Sequence, residues 1–237
     1  MERADHHINQ FDAIVRRYVM ANVKSLRPKR NNRRPRIIGG HLPKHTSTIV
    51  GDAIHNIRTS LDHAYCALVT ANGNTISRYT TFPFHKDRMS AKASLEGHIK
   101  SGLAPSADVI NLILDVIQPF EDAGNDFYGI HALDIADKHH SLIPSDMVMG
   151  IDQFTLYDAA GSKKHSISGM SLVIPDGYEK GIMRVDGGDV AKLEGDPRAA
   201  FDICFGQGEF FERQSIIGTL QRLRELVRDT LIALARL

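Results

Sequence analysis

Along residues 4–24 the apolar positions Ile8, Phe11, Ile14/Val15 and Tyr18/Val19 recur at three-and-four spacing. That period predicts an amphipathic helix with one face in need of a partner. A longer helix is predicted over 47–71, with Asn72-Gly73-Asn74 as its stop and Ile54, Ile57, Leu61, Ala64 and Leu68 as its buried stripe. Shorter helices follow at 89–101 and 107–118, split by Gly102 and Pro105, and another at 124–140. Between 141 and 207 the pattern changes to short β-type runs, among them FTLYD, SISGMSLVIPDG, GIMRV and FDICFG, punctuated by Gly, Pro and Asp. Residues 211–237 return to helix, with Ile216, Leu220, Leu223, Val227, Leu231 and Leu234 in one stripe. Strands that arrive as a block between helices argue for α+β, because a parallel α/β sheet would alternate them. The expected architecture is a single α+β domain over 1–237. Its parts are a helical bundle at 4–140, an inserted antiparallel β-layer at 141–207, and a C-terminal helix at 211–237 packing on the bundle.

Composition narrows the class. The chain has 237 residues, 42% hydrophobic and 24% charged, an ordinary globular balance that excludes a disordered or low-complexity protein. The first residues lack a basic segment followed by an apolar one, and no long uncharged apolar run occurs, so neither a secretory leader nor a membrane span is expected. Cys66 and Cys204 make no CxxC or metal-type spacing and read as buried thiols of a reducing, cytoplasmic compartment.

The net charge of +1 hides an asymmetry. Residues 1–48 carry eleven Lys/Arg against three Asp/Glu, a net +8, and the remainder carries eighteen against twenty-five, a net −7. The stretch KSLRPKRNNRRPR at 24–36 places seven cations in thirteen residues, with two prolines that prevent one continuous helix. Such a cluster neutralises phosphates, so RNA or another polyanion is the expected partner, with Arg30, Arg33 and Arg34 among its contacts. It lacks interleaved aromatics, so base stacking is not indicated. The plainer account is a solvated loop that balances the acidic remainder.

The helix at 47–71 has an unusual polar side. His55, Arg58 and Asp62 form one row, and Asp52, Asn56, Thr59 and His63 form a second. Residues 45–77 contain no Lys and no Glu, the residues that normally cover a solvated helix face. Both rows are therefore expected to face protein or ligand. Arg58 and Asp62 are one turn apart, which gives an intrahelical ion pair within a network that orients neighbouring helices.

A second constellation is Tyr128-Gly-Ile-His131-Ala-Leu-Asp134-Ile-Ala-Asp137-Lys138-His139-His140. On a helix His131, Asp134 and Lys138 share a face, while Asp137 and His140 project with Leu133 from another. Apolar residues all round predict that this helix is central. Buried carboxylates need partners, so Asp134 and Asp137 are expected to pair with Arg58 or Lys138. His55, Asn56, Asp137 and His139 are the expected binding residues of the two constellations. Twelve histidines raise the question of metal, and His55, Asp62, His131, Asp134 and His139 could supply donors. No HExxH occurs, and Arg58 and Lys138 would repel a divalent cation. No metal ligand and no cofactor is assigned.

Arg58-Thr-Ser-Leu-Asp-His63 fits R-x4-H, which resembles the signature of the HEPN helical-bundle ribonucleases. The resemblance implies that Arg58 holds the scissile phosphate and His63 transfers protons in a metal-independent cleavage, usually at the seam of a homodimer. Arg58, His63 and the intervening Asp62 are the catalytic set it suggests. The chemistry is coherent, because the 2′-OH of RNA attacks by itself once a cation and an acid/base near neutrality are supplied. The residue after the arginine is Thr59, where that family often has Asn, Asp or His. Over 4–237 the ordered motifs GDAIHNIRTSLDH, FPF, IQPF and HALDIADKHH also resemble an uncharacterised bacterial protein family with GDxxHNxRSxLDH and DKHR-like signatures; His140 stands where Arg is usual there. That resemblance implies a shared α+β domain and no particular activity. The sharpest functional expectation is a HEPN-like endoribonuclease acting on RNA. The alternatives are a noncatalytic nucleic-acid- or protein-binding scaffold with a buried polar network, and a metal-dependent hydrolase.

Overall fold

A computed structural model describes residues 1–23, 43, 45–139, 145–158, 163–175, 190–194 and 199–237. The basic segment with Arg30, Arg33 and Arg34 lies outside the described residues, as does His140.

Helix α1 (Glu2–Val23) buries Ala4, Ile8, Phe11, Val15 and Tyr18, the predicted face extended by one turn at its start. Helix α2 (Thr46–Ala71) packs between α1 and the two later helices α5 and α6. The Thr46 hydroxyl donates to the Pro43 carbonyl at 2.6 Å and anchors the first turn. At the other end Gly73 takes a left-handed φ of 78°, which lets the Asn74 amide reach back to the Val69 carbonyl at 3.1 Å. The Asn74 side chain then holds the Ala104 carbonyl at 2.7 Å, so the stop also ties down a later loop.

The buried stripe of α2 departs from the predicted one. Ile54, Ile57 and Leu61 are sealed, but the stripe continues through Tyr65 and Val69 while Ala64 and Leu68 are only partly covered. From Ile57 onward the row follows steps of four, an inclined ridge that drifts around the helix. Its far end meets the 75–88 connection, where Phe82 lies edge-on to Tyr65.

Helix α3 (Arg88–Lys100) starts at Asp87, whose carboxylate accepts from the Ser90 amide at 2.7 Å. Helix α4 (Ala107–Leu112) runs into a π turn at Ile113–Ile117, which ends where Gln118 adopts a φ of 50°. Ile113, Leu114 and Ile117 all lie in the core, on the face that the 107–118 helix pattern already marks as apolar.

Helix α5 (Asp126–His139) is capped by Asn125, which accepts from the Tyr128 amide and donates to the Gln118 carbonyl at 2.7 Å. It buries Phe127, Ile130 and Leu133, but Ile135 is 38% exposed. The expectation of a helix surrounded on every side is therefore corrected: α5 flanks the bundle and keeps one face open. Gly129 allows the chain after the strands to cross it closely, since a Cβ there would lie 2.3 Å from Phe211 Cζ.

Strands β1 (Ser145–Asp158), β2 (Lys163–Pro175), β3 (Val190–Glu194) and β4 (Ala199–Phe205) follow in chain order. β1 pairs antiparallel with β2 along one edge; on the other edge Ser145–Ile151 pairs with β4 and Thr155–Asp158 with β3. The end of β4 reaches the helical core, where Ile203 and Phe205 are fully buried. Helix α6 (Ile216–Leu234) begins five residues later than predicted, because 206–215 turns back to bond Phe205 with Arg213 and Gln214. Ile216, Leu220, Leu223, Val227 and Leu234 of the predicted stripe are buried together with Thr219, Leu231 is only partly covered, and the helix docks on α1 and α2. Arg224 ties it to α1 through Asp5 at 2.6 Å. Cys204 is buried as expected; Cys66 is only partly covered, its thiol donating to the Thr80 carbonyl. Among the described residues no helix is long and apolar enough to cross a membrane.

Candidate functional site

The polar positions of α2 and α5 meet as an antiparallel ladder. Gly51 faces Asp137, His55 faces Asp134, and Arg58 faces His131 and Asp134. Steps of four and three up one helix are matched by steps of three down the other, the spacing that keeps residues on a single face.

Asp134 is the centre of the seam, with its side chain 3% exposed. It receives His55 Nδ1 at 2.9 Å, Lys138 Nζ at 2.8 Å and Arg58 Nε at 3.3 Å. Burial alone would raise its pKa; the hydrogen bonds from Lys138 and His55, with the Lys138 and Arg58 charges, outweigh it and hold the carboxyl below its ordinary value.

Arg58 is held through its Nε and Nη1. Its Nη1 donates to Asp62 Oδ2 at 2.8 Å, its Nε is also 3.4 Å from His131 Nδ1, and its guanidinium lies 5.4 Å from the Phe84 ring centroid. Asp62 accepts in addition from the Phe82 amide at 2.8 Å, which pins the 75–88 connection to α2. His131 stacks flat on Phe84 with centroids 4.6 Å apart. Burial first, and then the Arg58 charge, lowers its pKa to about 4. It is therefore a neutral acceptor at pH 7, with its proton on Nε2.

Asp137 differs from Asp134. Its Oδ1 is buried and has no hydrogen-bond partner among the described residues. Burial, followed by the charges of Asp52 and Asp134, raises its pKa against the opposing His55 and Lys138. The expected pairing of Asp137 with Arg58 or Lys138 is not formed, because both cations are taken by Asp134 one turn earlier. The expectation that Asp137 projects from a different face is corrected as well: the close approach at Gly51 widens the contact so that it also faces α2.

The structure thus brings His55, Arg58, Asp62 and Asp137 together at one seam. It does not bring His63 there. His63 is exposed and, among the described residues, makes no hydrogen bond, while Arg58 points toward α5. Asp52 is likewise exposed, and Asn56 turns back to the Asp52 carbonyl at 2.6 Å. Asp52 and His63 of the second polar row thus face outward, contrary to expectation, while Asn56 and Thr59 between them are partly covered. His139 closes α5. Sequence reasoning missed Gly51 and Phe84; the FPF tripeptide was visible, but only the fold places its second ring against His131. Among the described residues no three His, Cys, Asp or Glu side chains converge in a way that could hold a metal ion. No family model matches this chain, and no curated protein and no solved structure matches it either.

Proposed function

We propose that the protein binds RNA or another polyanion through the basic segment at 24–36, and that the α2–α5 seam is a structural network that orients these two helices. The observation that carries this reading is the commitment of Arg58 to Asp62 and Asp134. A scissile or bound phosphate would have to displace two carboxylates to reach that guanidinium, whereas seven cations at 24–36 stand in a run without a single acid. Cleavage by Arg58 and His63 together would require the same displacement, followed by completion of the site from a second subunit. The antiparallel pairing of β1 with its neighbours supports reading 145–205 as a β-layer inserted into one α+β domain.

Fluorescence anisotropy with a labelled single-stranded RNA tests the reading. Affinity is expected to fall as salt rises, with about 0.7 of log–log slope per phosphate contacted. Replacing Arg30, Arg33 and Arg34 together by Ala should weaken binding and reduce the slope by about 2. Binding that ignores salt, or a triple variant that binds like the wild type, would end the proposal.

A further inference from the structure

We propose that the outer stripe of α2 is the contact surface for a second copy of this chain. The two α2 helices pack antiparallel about a two-fold axis between Ile57 and Arg58, and Asp52 of each copy meets His63 of the other. The contact uses none of the cations at 24–36, so it stands or falls apart from the polyanion reading.

The stripe is open, yet it lacks the residues that normally cover an open helix face. Thr48, Asp52, His63 and Ala67 are exposed, and Asn56 and Thr59 are partly covered, along one side of a 26-residue helix that is about 39 Å long. No Lys and no Glu stands anywhere on α2. The open faces of α1 and α6 differ in this respect: they carry surface ion pairs such as Arg16 with Asp12 and Arg228 with Glu225.

The order of the polar residues selects the occupant. Asp52, Asn56, Thr59 and His63 are spaced by four, three and four residues, a pattern that reads the same in both directions. A closed two-fold contact must be self-complementary: where residue i of one copy meets j of the other, j also meets i. An antiparallel copy centred between Ile57 and Arg58 sets His63 against Asp52 and Thr59 against Asn56, each pair formed twice. Thr48 then lies against Ala67 at the outer ends, methyl to methyl. The pairs match chemically, imidazole with carboxylate and hydroxyl with carboxamide. A parallel copy would instead set Asp52 against Asp52, which like-charge repulsion disfavours.

These groups have capacity to spare. Among the described residues His63 makes no hydrogen bond, and the Asp52 carboxylate has neither a hydrogen bond nor an ion pair. Asn56 donates one amide hydrogen to the Asp52 carbonyl at 2.6 Å, and its second is left for the Thr59 oxygen of the other copy. Asp137 of α5 neighbours Asp52 and makes this end of the stripe the acidic one. Arg58 stays with Asp62 and Asp134 of its own chain, so His63 is a contact residue in this arrangement and not half of a cleavage site.

Sedimentation velocity on the full chain, without RNA, from about 1 to about 100 µM tests the contact. The wild type should be dimeric in the upper part of that range. Asp52→Lys sets an ammonium against the imidazole, and His63→Asp sets two carboxylates against each other; each should raise the dissociation constant about tenfold or more. The double variant Asp52→Lys/His63→Asp restores an opposite-charge pair with its sign reversed, and should return to within about threefold of the wild type. Ala67→Arg, facing Thr48, should weaken the dimer without touching the charged pair. All three positions are exposed, and circular dichroism confirms that each variant folds. If a charge variant fails to fold, Ala67→Arg decides alone: a dimer as tight as that of the wild type refutes the contact. A wild type that is monomeric at about 100 µM overturns the proposal. So does a dimer that survives both single charge variants, or one that the double variant does not restore.

Discussion

Asp137 rests against Gly51 so closely that a methyl group at position 51 would stand 2.4 Å from Asp137 Oδ2 and 2.5 Å from its Cγ. The two helices approach here because one of them offers no side chain. Gly51→Ala therefore sets a helix-propensity gain of about 1 kcal/mol against overpacking that costs about 1–3 kcal/mol. Urea denaturation should show a net loss of about 1 kcal/mol. Gly97→Ala is the control, since it sits inside α3 with nothing within 4 Å of the new methyl. That variant should gain about 0.5–1 kcal/mol.

Arg58 bridges two carboxylates that are 17% and 3% exposed. Removing one partner of a buried pair typically costs about 3–5 kcal/mol, and Asp134 keeps Lys138 and His55, so Arg58→Ala should lose about 2–3 kcal/mol. Arg16 makes an ion pair of similar length with Asp12, but its side chain is 73% exposed. Arg16→Ala should change stability by less than about 0.5 kcal/mol in the same denaturant titration. Equal losses in the two variants would mean that the seam contributes no more than a surface pair.

Acid should loosen the seam through His131. Its folded pKa is lowered from 6.5 to about 4, chiefly by burial and next by Arg58. Between those values the unfolded chain binds more protons than the folded one, so stability rises with pH across the window and falls as the medium is acidified from 6.5 toward 4. The full shift corresponds to about 3.4 kcal/mol, which solvent screening of this partly exposed ring reduces to about 2 kcal/mol. His131→Gln keeps a neutral polar group beside Phe84 and should flatten the profile in that window, as read from denaturation midpoints at stepped pH. An unchanged slope would show that His131 is not the group responsible.

Asp137 should act with the opposite sign. Its pKa is raised by burial and by the neighbouring acids, so the stability it contributes is present in acid and is lost as pH rises through its folded pKa. Asp137→Asn removes the buried charge without changing the shape beside Gly51. The variant should match the wild type near pH 3 and exceed it at pH 7, by a margin that partial exposure keeps small. Thermal melts at the two pH values check the crossover.

Much of the helical part was legible from local pattern. The faces of α1 and α6, the stop at Asn72-Gly73 and the Arg58–Asp62 pair all follow from periodicity or from contacts within one turn. The lack of Lys and Glu along α2 marked Arg58 and Asp62 as covered, while His55 in the same row keeps an exposed edge. Within one chain it misled for the row carrying Asp52 and His63, because composition reports how a whole helix is coloured and cannot say which flank a neighbour covers. The π turn at Ile113–Ile117 was also invisible, since the core it serves is built from distant residues.

By itself the sequence determined which side chains share a helical face, where α2 stops, and that Asp134 could not be buried alone. Those are consequences of 3.6-residue geometry and of the cost of desolvating a charge. Only the tertiary structure decided that two hydrogen bonds and the Arg58 charge converge on Asp134 while Asp137 Oδ1, one turn away, has no hydrogen-bond partner among the described residues. That outcome depends on the register in which α5 lies against α2. The register is set by the close approach at Gly51 and by the rings of Phe84 and Phe211, contacts between residues far apart in the chain that no local pattern encodes.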